Sequence, residues 1–133
     1  MRGHFNMEIL KEFSTQFMQS IQQTNNIISV PFHLYGQSSQ IHFLIEEQNN
    51  NYIITTQCHD LLEHLAWNMG DVQKYQDKIN EICQLFKIQW YIDRNIYFSY
   101  TCKKEEIANG IFQLINALSL IGHLGYSLFA FKK

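Results

Sequence analysis

Proline is nearly absent from this chain: Pro31 stands alone among 133 residues. A proline-rich spacer or polyproline recognition segment is therefore excluded, and no flexible interdomain linker is visible. Charge is also sparse, at 17% of residues against 46% apolar, so the chain is globular rather than disordered. Ten basic and twelve acidic residues leave a formal net charge of −2. That balance disfavours a generic polyanion binder, because non-specific nucleic-acid affinity comes mainly from Lys and Arg neutralising phosphates. Cysteines number three, Cys58, Cys83 and Cys102, widely spaced and without a Cys-x-x-Cys pair. An odd, scattered set argues against a disulfide scaffold and a structural zinc site, and a reducing cytoplasm is its simplest home. No apolar run approaches the roughly 20 residues of a membrane span. The longest, Ile111 to Phe131, is interrupted by Gln113, Asn116 and His123. Residues Met1 to Met7 have no hydrophobic signal region. Met7 is a second candidate start, which would leave residues 1–6 as an extension.

What the chain does have is aromatic residues: ten Phe, seven Tyr and two Trp. At this length a single domain buries roughly two-thirds of its unfolded surface. Ile9, Leu10, Phe13, Phe17 and Ile21 recur at helical spacing and predict a helix over residues 7–23. Three short alternating segments follow, at residues 27–35, 41–45 and 52–56. Pro31 cannot donate a ladder hydrogen bond, which marks the first as an edge strand or a bulge. Thr56 lies where a helix over about 58–68 would be capped. Asn68-Met-Gly70 would end that helix, and a further helix over 72–86 would face inward through Val72, Tyr75, Ile79, Ile82 and Phe86. Residues 88–92 and 96–101 alternate about Asp93-Arg-Asn95, which predicts a hairpin. From Lys103 onward Ile107, Ile111, Leu114, Leu118 and Ile121 form the stripe of a last helix. Gly122 and Gly125 would end or kink it, and residues 126–131 would either continue it or add a strand. The predicted fold is a single α+β domain of order α-βββ-αα-ββ-α, with about five strands in an antiparallel or mixed sheet and about four helices.

Ser29-Val-Pro-Phe32, Ile41-His-Phe-Leu-Ile45, Tyr52-Ile-Ile-Thr-Thr56 and Ile111-Phe-Gln-Leu-Ile-Asn-Ala117 together resemble a bacterial and phage family designated domain of unknown function 1828. The resemblance spans roughly residues 8–121 and lies in apolar pattern and short motifs. It implies a phage or mobile-element setting and an accessory role. One departure stands out: the family pattern tends to place Thr-Asp at the third strand's end, where this chain has Thr55-Thr56-Gln57. Any catalytic or metal role of that acid would be missing here.

Four constellations are candidates for chemistry or recognition. The first is Cys58-His-Asp-Leu-Leu-Glu-His64. On a helix His59 and Glu63 share a face, as do Asp60 and His64, and Cys58 sits near the helix N-terminus, where a thiolate is favoured. A metal site at His59, Glu63 and His64, or a thiol nucleophile at Cys58, is the functional reading; a solvated face with two favourable pairs is the bland one. His33 and His42 lie on adjacent predicted strands and would either bind metal, sense pH or sit half-exposed. The third is the order helix 58–68, Gly70, helix 72–86, hairpin, which matches a helix-turn-helix with a wing. Gln73, Lys74, Lys78 and Arg94 would then contact DNA, although Asp71, Asp77 and Glu81 weaken the electrostatics. The fourth is the aromatic hairpin of Trp90, Tyr91, Tyr97, Phe98 and Tyr100. Successive strand residues alternate faces, so these cannot all enter one core.

No catalytic motif is present, so the preferred function is non-catalytic. The chain reads as a small cytoplasmic accessory protein that binds a macromolecular partner, such as a host-defence or regulatory factor, through Trp90, Tyr91, Tyr97 and Tyr100. It needs no cofactor and no membrane. A protein partner leads; nucleic acid and a second copy are the other partners the pattern admits. A winged-helix-like DNA regulator and a metal- or thiol-dependent enzyme are the alternatives.

Overall fold

The structure, a computed structural model, describes residues 2–33, 40–57, 76–93 and 95–131. Its elements are α1 (Arg2–Ser20), β1 (Gln22–Thr24), β2 (Ile27–Val30), β3 (Ile41–Gln48), β4 (Asn51–Gln57), α2 (Gln76–Leu85), β5 (Gln89–Asp93), β6 (Asn95–Cys102) and α3 (Ile107–Phe131), with a 3₁₀ turn at Lys104–Glu106. The predicted α+β class holds: a single domain with one antiparallel sheet, ordered β1-β2-β3-β4-β6-β5. Among the described residues the sheet has six strands where the sequence predicts about five.

The extra strand is β1. Ile21 N–H bonds to the Met18 carbonyl at 3.3 Å and closes the helix early. The turn at Asn25-Asn26 then folds Gln22–Thr24 back against Ile27–Ser29. Asn25 takes a left-handed φ of 56°, which asparagine tolerates better than most residues. β1 is therefore the sheet edge. β2 lies inside, between β1 and β3, which corrects the edge-strand expectation for the segment carrying Pro31. Proline acts by position instead: β2 ends at Val30, one residue before it. A chain without that N–H cannot extend an interior ladder. The β3–β4 hairpin turns through Asn49 and Asn50, both left-handed (53° and 67°), the geometry that matches strand twist.

One sheet face carries the core. Register places Ile28, Phe43, Thr56 and Phe98 on this side, with Val30, Ile41, Ile54 and Tyr100. Onto it packs α3, through Leu114, Ala117, Leu118 and Ile121, all without solvent exposure. Lys104–Leu124 is long and apolar enough to cross a membrane by length and composition. Its buried stripe is the domain core, however. Gly122 sits buried within the helix rather than ending it, and the helix continues through 126–131. Thr56 belongs to β4 and is a core strand residue whose hydroxyl donates to the His42 carbonyl at 2.8 Å; the helix over 58–68 that it would cap lies outside the described residues.

α2 buries Ile79 and Cys83 against α3 and β5. It ends in a Schellman arrangement: Ile88 N–H bonds to the Cys83 carbonyl at 2.8 Å and Lys87 N–H to that of Gln84 at 3.2 Å. Lys87 holds the left-handed position, φ 59°, where glycine is usual. The predicted helix over 58–68 and the start of the one over 72–86 lie outside the described residues.

Candidate interaction surface

The β5–β6 hairpin divides the aromatic set by strand alternation. Trp90 pairs with Phe98, and Ile92 with Ile96, on the core side. Tyr100 is buried beneath α3, and Asn109 Nδ2 donates to its hydroxyl at 3.4 Å. Half-buried Trp90 donates from Nε1 to Asn80 Oδ1 of α2 at 2.5 Å. Trp90 and Tyr100 thus serve the helix–sheet interface. Tyr91 and Tyr97 occupy the other sheet face, stacked with ring centres 4.8 Å apart and planes 12° off parallel. Tyr91 remains exposed. Of the four predicted partner-binding residues, the structure brings together this pair on the face opposite α3 and turns the other two inward.

His42 sits on the same sheet face, directly across from Ser29 of β2, with Ser29 Oγ and His42 Nδ1 2.5 Å apart. His33 lies past the end of β2, so it is not the cross-strand partner of His42. Among the described residues no three His, Cys, Asp or Glu side chains come together as a metal site. Cys58, His59, Glu63 and His64 lie outside the described residues, as do Gln73, Lys74 and Arg94. Lys78 is exposed on α2. The hairpin does not stand free as a wing, because β6 pairs along its length with β4. Cys83 is buried, and desolvation raises its thiol pKa from 9.0 to about 11. Cys102 is raised by burial and then by the negative charge of Glu106. Neither is poised as a nucleophile, since the reactive species is the thiolate.

Sequence reasoning missed the most exposed apolar surface. Every residue from Met7 to Gln16 of α1 is exposed. Met7, Ile9, Leu10, Phe13 and Met18 are between 51% and 70% exposed. Among the described residues, the end of the helix meets the domain. There Phe17, with Ile28 and Val30 of the sheet and Ala108, Ile111 and Ile115 of α3, lines an open apolar cleft of about 310 Å³. Phe13 stacks on Phe17, with centres 5.8 Å apart, and carries the apolar strip out of the cleft along the helix. Phe112 borders the cleft from α3 and is also exposed. The opposite side of α1 is polar and internally satisfied: Gln16 Nε2 donates to Glu12 Oε1, and Thr15 Oγ1 to the Lys11 carbonyl, both at 3.0 Å. A readable signal did exist. Met7 and Met18 flank the predicted stripe of Ile9, Leu10, Phe13, Phe17 and Ile21, and widen it to about half the helix circumference, more than one contact line needs.

A helix whose apolar half meets water is poorly supported, because most helical stability in proteins comes from packing that face. Contiguous exposed apolar patches on soluble proteins mark contact sites. The arrangement suits burial against another macromolecule. Comparison with protein-family models, with curated proteins and with solved structures finds no match to this chain.

Proposed function

We propose that this protein is a non-catalytic binding module that works by engaging a protein partner through the apolar strip of α1 and the adjoining cleft. The observation that carries the reading is the exposure of Met7, Ile9, Leu10 and Phe13 on one helix. The stacked Tyr91–Tyr97 pair on the sheet face opposite α3 offers a second, smaller contact of the type favoured at interfaces. The near-neutral net charge, −2, suits a protein partner better than a phosphate backbone. An accessory role in a phage or mobile-element setting, acting on a host-defence or regulatory factor in the cytoplasm, is part of the proposal and rests on the strand motifs. Affinity capture from host extract, with the native chain and a Leu10→Asp/Phe13→Asp variant as parallel baits, tests it. A stoichiometric partner held by the native chain and lost by the variant is expected. Capture of no partner, or equal capture by both baits, would remove the reading.

A further inference from the structure

We infer that the occupant of the α1 strip is a second copy of this chain. The exposed helix of one protomer would lie in the partner's cleft between the end of α1 and α3, and the exchange would be mutual. The inference rests on the binding reading above and names the partner.

Both halves of the contact are present on one chain. The donor is the strip Met7–Leu10–Phe13, whose three residues span about 1.7 turns of helix, about 9 Å of axis. The acceptor is the cleft of about 310 Å³, apolar except for Gln23. The donor's polar face bears Lys11 between Glu8 and Glu12, and the cleft walls bear no charged residue, so docking desolvates no unpaired charge.

The available area matches what a dimer needs. The exposed parts of Met7, Ile9, Leu10, Phe13 and Met18 combine with those of Phe32 and Phe112 at the cleft and Leu120 two turns further along α3. With roughly 180 Å² for a whole large apolar side chain, these sum to about 800 Å² per copy, one partner's share of a standard interface. A mutual exchange uses the same patch on both subunits. It therefore closes as a two-fold dimer and leaves no patch to propagate a filament. A membrane surface is a poorer occupant. Helices that lie on membranes carry a Lys- and Arg-rich polar face, whereas α1 has no basic excess, its Arg2 and Lys11 being matched by Glu8 and Glu12.

Sedimentation equilibrium on the purified full chain tests the inference, over low micromolar to about 100 µM. Four samples are compared: the native chain, Phe13→Asp in the donor, Phe112→Asp in the acceptor, and an equimolar mixture of the two variants. Circular dichroism with a cooperative melt verifies that each is folded; neither side chain is buried, so both variants are expected to fold. The native chain is expected at twice 15.8 kDa and each variant at 15.8 kDa. The mixture is expected to regain dimer at the top of the range, because one helix–cleft contact of the two stays intact. Lys11→Ala, on the polar side, is expected to leave the dimer unchanged. A native chain that is monomeric throughout overturns the inference; if partner capture still depends on Phe13, the binding reading survives with a different protein in the same site. Dimers that persist in both variants, a mixture that stays monomeric, or native monomer that cosediments with phosphatidylcholine–phosphatidylserine vesicles would each overturn it as well.

Discussion

Gly110 lets α3 approach the sheet, and adding one methyl there sets two opposed effects against each other. A Cβ at Gly110 would lie 2.8 Å from Ile54 Cδ1, 2.8 Å from Tyr100 Cδ1 and 3.2 Å from Tyr100 Cε1. Ordinary carbon contacts begin nearer 3.5 Å. Ile54 has no solvent exposure and Tyr100 is tethered through its hydroxyl to Asn109, so neither can move into free space. Overpacking of this kind costs typically 1–3 kcal/mol. Against it, alanine gains about 1 kcal/mol over glycine within a helix. With two contacts compressed at once, a cost of about 2 kcal/mol is reasonable, and Gly110→Ala is expected to destabilise by about 1 kcal/mol net. At roughly 2.1 cal/mol/K of unfolding entropy per residue, that lowers the melting temperature by about 4 °C. Urea melts followed by circular dichroism give the free energy and calorimetry the temperature. Asn116→Ala, at an exposed position of the same helix, serves as the propensity control and is expected to gain a few tenths of a kcal/mol. Adding Ile54→Val removes the clashing methyl, so the pair should be less destabilised than the sum of the singles by about 0.5–1 kcal/mol. Stabilisation of Gly110→Ala by about 1 kcal/mol, as at an exposed site, would refute the close approach of α3 to β4 and β6.

Three further outcomes follow from local geometry. Lys87→Gly is expected to stabilise by about 0.5–1 kcal/mol in urea melts, because a left-handed φ of 59° strains any residue with a Cβ; a loss of stability would contradict the Schellman end of α2. Cys83 ionises near 9.0 when unfolded and near 11 when folded, so its contribution is complete below pH 9 and is lost as pH rises toward 11. Native stability should therefore fall across that window, by at most about 3 kcal/mol, and Cys83→Ala should flatten the fall; an unchanged profile would discount the burial. Asn80→Ala removes the acceptor of the Trp90 indole N–H and is expected to cost about 1–2 kcal/mol, while in a Trp90→Phe background it should cost measurably less; equal costs in both backgrounds would deny the hydrogen bond.

The parts of the fold that were legible in the sequence are those where one local rule acts alone. Residues 88–92 and 96–101 alternate in the sequence, and β5 and β6 pair antiparallel as the predicted hairpin. The stripe through Leu114, Leu118 and Ile121 has helical period and becomes the core face of α3. β1 was not legible, because Gln22-Gln-Thr24 has no apolar alternation; it is a strand only because the Asn25 turn returns it to β2. Alternation required the hairpin aromatics to split between two faces, but only the β4–β6 register decides that Phe98 and Tyr100 go under α3 while Tyr97 goes to the opposite side. Cys83 escaped the predicted inward face of its helix because a lone cysteine reads first as chemistry, whereas here it packs as a small apolar residue. The exposed apolar strip of α1 was hidden for a different reason. Periodicity says that α1 and α3 each have an apolar face, and nothing local says which of them wins the sheet.

That competition explains why α1 keeps its apolar strip in water. The sheet presents one core face, and α3, 25 residues long, already covers it across β4 and β6. α1 is 19 residues, about 28 Å of helix. Its last turn is pinned to the edge strand, since β1 begins at Gln22 and Ile21 bonds back to Met18. Among the described residues, the end of the helix, at Phe17 and Met18, reaches the layer that α3 occupies, together with Ile21 that follows it. Burying Leu10 and Phe13 within the same copy would require either displacing α3 from fully buried Leu114 and Leu118, or unpairing β1 to swing α1 over. The first forfeits several kcal/mol for each large core side chain uncovered, and the second breaks the edge pairing. A second protomer removes the conflict without either loss, because its cleft is as open as the first one's and is offered at the same edge. Among the described residues, the exposed helix is then the consequence of two long helices with apolar faces, α1 and α3, meeting one core face of the sheet.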